Sequence, residues 1–182
     1  MTHWRLILCV LLGAALPSHS QANRPHNESP LRLLLSEVQS GTMASEHYCM
    51  LVFADHSFHA EQARRHSGRD QERRIYEGDL SGADWNALDG ILESDGFRKL
   101  NVPRGYVPLS IQNAHFLTIS VKREKGFQNM EFMDDDSRKP YDAQLKPLFH
   151  WWKSVRGKRL APSEAPRDSR CVLDSSHRVF SY

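Results

Sequence analysis

The sequence predicts an α+β fold: an antiparallel sheet of about five strands, two hairpins plus an edge strand, with two amphipathic helices on one face. Three observations predict it. Residues 115–122 alternate, with Leu117, Ile119 and Val121 on one side and Phe116, Thr118, Ser120 and Lys122 on the other, as a half-buried strand does. Residues 47–53 form a continuous apolar run of β-formers and read as a central strand. Two later segments place apolar residues at helical spacing, each with a Trp on its apolar face.

Taken in order, residues 1–22 read as a secretory signal peptide. Arg5 is followed by an apolar run over 6–16 and by Ser20-Gln21-Ala22, with small residues at the −3 and −1 positions of a cleavage site. The run is 11 residues long, whereas a membrane-spanning helix needs about 20, so no stable membrane insertion is expected after cleavage. Residues 23–29 read as a flexible leader, 30–157 as a single α+β domain and 158–182 as a flexible basic tail. Residues 31–38 are ambiguous. Leu31, Leu34, Leu35 and Val38 fall at helical spacing, yet the run is short and leads through Gly41 into a strong strand; the strand reading is preferred. Residues 54–57 supply turn types and 58–63 return as a hairpin partner. Residues 64–72 read as a charged loop and 73–77 as a short third strand.

Ser81 then caps a helix, with Asp84 three residues on and Trp85, Leu88, Ile91 and Leu92 on one face. Residues 94–96 end it. After the strand at 115–122, residues 127–133 return as its partner. Residues 134–136 are three aspartates before Ser137; they read as a charged turn favouring the following helix N-terminus rather than a calcium loop, whose spaced acidic pattern is absent. The last helix carries Leu145, Leu148, Phe149, Trp152 and Val155, with Gly157 past its end. Pro147 requires either a start near Leu145 or a kinked helix starting near Pro140. An echo links the two halves: Val52 and Phe58 are six apart across the first turn, as are Val121 and Phe127 across the second. It suggests two ββα-like units sharing one sheet.

Charge and cysteines bound the function. Removing residues 1–22 removes Arg5 and no acid, so 24 Lys and Arg become 23 against 22 Asp and Glu, a net of +1. That balance argues against nucleic acid as a partner. Cys9 leaves with the signal peptide, and Cys49 and Cys171 remain as an even pair in an oxidising, exported compartment, periplasmic or extracellular. A disulfide is expected to clip the tail to the sheet.

Two groups of residues carry candidate chemistry. His56, His59 and Glu61 on the first hairpin offer two imidazoles and a carboxylate, with His59 and Glu61 on one strand face, a donor set zinc accepts. No motif requires a cofactor; zinc, or another transition metal, is what this donor set could take. Phe149 and Trp151 are expected to leave a partly exposed aromatic patch, because a helix cannot hide both Trp151 and Trp152 on one stripe. No Gly-x-Ser-x-Gly elbow, zinc-protease motif or phosphate-binding glycine loop occurs. The expected function is therefore a non-enzymatic binding or inhibitor-like module for a protein or small-molecule ligand, with a metal-binding protein or metal-dependent hydrolase as the alternative.

The run Tyr48-Cys49-Met50-Leu51-Val52-Phe53-Ala54-Asp55, then Phe58-His59-Ala60-Glu61, Tyr76-Glu77-Gly78-Asp79-Leu80-Ser81 and Trp85 with Leu88, resembles a group of uncharacterised bacterial exported proteins. Residues 128–133 through Trp152-Lys153 resemble the second half of that group. The meander-then-helix layout is also similar to small proteinaceous inhibitors of secreted metalloproteases. Neither resemblance assigns a functional residue.

Overall fold

Segment 31–38 proves to be a strand because the sheet buries both its faces. In a computed structural model describing residues 29–69, 72–103, 115–158 and Cys171, β1 (Leu31–Ser40) is an interior strand. It pairs antiparallel with β2 (Ala44–Phe53) on one side and β5 (His115–Arg123) on the other. The helix-like spacing of its leucines reflects burial on two faces: Leu33 and Leu35 point to one, Leu34 to the other. The expected signal peptide and almost all of the expected leader and tail lie outside the described residues, Ser29, Lys158 and Cys171 excepted.

Two hairpins extend from this centre. β3 (Ser57–His66) and β4 (Glu72–Asp79) continue from β2, and β6 (Gly126–Phe132) follows β5, giving one antiparallel sheet in the order β4-β3-β2-β1-β5-β6. The sheet thus has six strands, close to the expected five, with the edges taken by β4 and β6. Arg64, expected in a loop, continues β3, where it pairs with both Glu46 and Glu72. The echo between hairpins is not kept in the register. Val52 pairs directly with Phe58, whereas Val121 pairs with Gln128, so the second turn is one residue tighter. Phe127 consequently faces away from the side that Phe58 fills.

The first turn has unusual chemistry. His56 occupies the left-handed region, φ 72°, where glycine is the usual solution. Asp55 Oδ1 accepts from Ser57 N at 3.1 Å and from Ser57 Oγ at 2.6 Å. The His56 ring stacks on Trp85, centroids 4.1 Å apart.

Both long helices cover one face. α1 (Gly82–Glu93) starts where Ser81 Oγ accepts from Asp84 N, as its sequence predicts. A short α2 (Asp95–Arg98) buries Phe97 against the same core. The three aspartates build a capping box for a second short helix, α3 (Asp135–Arg138): Asp134 Oδ1 accepts from Ser137 N at 2.7 Å and Ser137 Oγ accepts from Asp134 N. A 3₁₀ turn containing Pro140 leads into α4 (Asp142–Gly157). Pro147 sits inside α4, in its second turn, between the two expected positions and nearer the helix that starts around Pro140. Its missing N–H leaves the Ala143 carbonyl, on the exposed side, to solvent.

The main core lies between these helices and the face carrying Leu33, Leu35, Met50, Val52, Ile119 and Met130. The opposite face has a smaller cluster, Leu34, Cys49, Leu51, Phe53 and Cys171. Among the described residues no helix is long and apolar enough to cross a membrane.

Candidate functional site

Two features stand out, one on each face of the sheet. On the helix-covered face, the ends of β1 and β5 and the outer side of α4 enclose a groove of about 610 Å³. Leu117, Phe149 and Trp152 supply its apolar surface, and Arg138, Lys153 and Arg156 bring three cations against one carboxylate, Glu37. Helical spacing creates this grouping: 149, 152, 153 and 156 recur on one side of α4.

Two of the three cations are held over aromatic rings. The Arg156 guanidinium lies 3.9 Å from the Tyr48 ring centroid and 5.3 Å from that of Trp152, and Arg138 lies 5.2 Å from Phe149. Glu37 accepts from Arg156 at 3.2 Å and meets His115 Nε2 at 2.9 Å. His115 Nδ1 is 3.1 Å from Asp135, which also pairs with Arg138 at 2.8 Å. Burial raises the Tyr48 phenol above its ordinary value, against the pull of Arg156. Lys153 has no ion-pair partner among the described residues.

Trp151 does not belong to this groove. It is 5% exposed and donates from Nε1 to the Asp84 carbonyl at 2.9 Å, tying α4 to α1. Trp151 is therefore not in a partly exposed patch as expected; Phe149 lines the groove together with an edge of the largely buried Trp152. Both tryptophans are buried because α4 meets two neighbours: Trp152 contacts Tyr48 of the sheet, ring centroids 5.5 Å apart, and Trp151 contacts α1.

On the opposite face, cross-strand register builds a polar cluster. His59 pairs with Glu77 on β4, and Glu61 pairs with Cys49 on β2. His59 Nδ1 is 2.8 Å from Glu77 Oε1, and Nε2 is 2.9 Å from Glu61 Oε1. His59 is 2% exposed and Glu61 4%. Arg73 Nε approaches Glu61 Oε2 at 3.9 Å. The expected disulfide is present: Cys49 and Cys171 are joined across 122 residues, Cα atoms 6.0 Å apart. Cys171 N donates to the same Glu61 Oε1 at 3.1 Å. The structure thus brings His59 and Glu61 together but not His56, whose ring stacks on α1. Sequence reasoning missed Glu77; the signal was its equal distance from the β3–β4 turn, which shows only once strand pairing is known.

A serine–histidine pair also lies on this face, Ser36 Oγ being 3.0 Å from His47 Nε2. Burial lowers the His47 pKa, Arg73 assisting and Glu61 opposing. Both residues sit on strands paired on each side, so the flanking ladder amides are already engaged and none forms an oxyanion hole. No family model, curated protein or solved structure matches this chain. The disulfide fits an oxidising, exported compartment.

Proposed function

We propose that this is an exported, periplasmic or extracellular binding protein whose groove takes a small organic anion with an apolar or aromatic body. The single supporting observation is the composition of the groove: an aromatic floor beneath three cations and one carboxylate. Its volume, about 610 Å³, falls within the range of about 300–1,000 Å³ common for small-molecule sites. The apolar body would cover Phe149 and Trp152. The acid would meet Lys153, which spends no charge on a neighbour, and Arg156, already oriented by stacking.

A panel of aryl and alkyl carboxylates, each beside its uncharged amide, tests this by tryptophan fluorescence. Saturable binding of an acid, weaker for its amide and weakened about 5–10-fold by Lys153→Ala, supports the reading. Equal binding of acid and amide, or no saturable binding across the panel, overturns it.

A further inference from the structure

The buried imidazole of His59 faces two carboxylates, one at each ring nitrogen. A neutral imidazole donates from only one nitrogen. One of the two contacts therefore requires a second proton, on the ring or on a carboxyl, or a metal ion in its place. The geometry on the Nδ1 side is what a metal-ligating histidine uses: a carboxylate, here Glu77 at 2.8 Å, orients the ring and leaves Nε2 for the ion.

Sulfur is beside this pair. Cys171 Sγ, His59 and Glu61 offer ligand atoms all within 4.8 Å of one another. Cys49 Sγ is bonded to Cys171 Sγ and belongs to the residue paired with Glu61. Cys49 is 1% exposed and Cys171 5%. Zinc bonds of about 2.0–2.3 Å set tetrahedral donors about 3.3–3.8 Å apart. The ligand atoms of His59, Glu61 and Cys171 already lie within 4.8 Å of one another, and reduction frees both sulfurs to move toward that spacing. In the disulfide the sulfurs are not thiolates and do not hold zinc.

We propose that Cys49, Cys171, His59 and Glu61 form a redox-gated zinc site, closed to metal in the disulfide state and opened by reduction. A dithiol reductant supplies two electrons and two protons. Its own sulfurs become a disulfide, the Cys49–Cys171 bond breaks, and both cysteines become thiols. Zinc then displaces the two thiol protons, and any proton on His59 Nε2, to solvent. Two thiolates and one carboxylate exceed the metal charge by one, which the Arg73 guanidinium near Glu61 offsets. The ion would replace the covalent clip with a coordinate one, so the tail stays fastened to β2 and β3 in either state.

The test uses the full chain carrying Cys9→Ala, so that no third thiol competes. Zinc uptake is measured with a chromophoric chelator before and after reduction by a non-chelating phosphine, and cobalt replaces zinc for spectroscopy. The expected result is no uptake when oxidised and about one zinc per chain when reduced. Cobalt should give thiolate charge-transfer bands with tetrahedral d–d bands, and reoxidation should release the metal. Glu77→Gln, which removes only the orienting carboxylate, should weaken affinity about 10–100-fold. His59→Gln should abolish the tetrahedral spectrum. Absence of uptake by the reduced chain overturns the proposal. So does uptake unchanged in both variants, which would mean adventitious binding by free thiols. Should His59→Gln fail to fold by circular dichroism, the Glu77→Gln titration decides alone.

Discussion

The two faces of the sheet are stabilised by different physics. On the helix-covered face, Leu33, Leu35, Val52, Ile119 and Phe132 meet α1, α2 and α4 in an apolar core, where burial is non-directional and proportional to area. On the other, a few apolar residues surround a disulfide and a histidine held by two glutamates. That face depends on direction and charge, and each group is costly to leave without its partner. The comparison teaches where change is tolerated. The first face accepts shape-conserving substitution, whereas the second requires particular atoms at particular places.

Four measurements break or sharpen this contrast. Phe132→Ala should cost the most, about 3–5 kcal/mol in urea unfolding, because it removes a fully buried ring from the apolar side. Cys171→Ser should cost about 2–5 kcal/mol by releasing so long a loop. Its hydrogen-exchange signature should be local, with protection falling on β3 and β4 around His59 and Glu77 while α1 and α4 keep theirs; uniform loss would mean that the two faces are one cooperative unit. Trp151→Phe should cost about 1–2 kcal/mol, from the lost bond to Asp84 O and the smaller ring, with no change in ligand binding at the groove.

The smallest effect is the pH dependence of the helix side. Hydrogen bonds from Lys158 and Ser81 hold the Asp84 carboxyl below its ordinary value, and one from Arg32 does so for Glu93. A folded pKa below the unfolded one gives stability that is present above the ordinary carboxylate range, about pH 4, and is lost as pH falls through the lowered value. Lys158→Ala should flatten this acid limb, and an NMR titration should find the Asp84 carboxyl moved back up toward its ordinary range. Both carboxylates are partly solvated, so salt should weaken the effect.

Much of the local structure was legible in the sequence, for identifiable reasons. The alternation of residues 117–121 and the Ser81 cap depend on neighbours within a few residues, so their signals are local. Segment 31–38 was ambiguous because an interior strand buried on both faces loses the alternation that marks a half-buried one. The exposed patch was misassigned because Trp151 is hidden by α1, an element about 60 residues earlier. His56 was grouped with His59 by proximity in sequence, yet the left-handed turn sends its ring to Trp85.

By itself the sequence determined the α+β class, the Ser81 helix cap and an even cysteine pair consistent with an oxidising compartment. Only the tertiary structure decided that Glu77 faces His59, that Glu61 receives the Cys171 amide, and that Trp152 rather than Trp151 floors the groove. The reason is the nature of strand pairing. Backbone ladders are nearly indifferent to side chains, so register is set by distant turns and by which face the helices must bury. A shift of one residue would turn His59 and Glu61 toward the apolar core and dissolve the site.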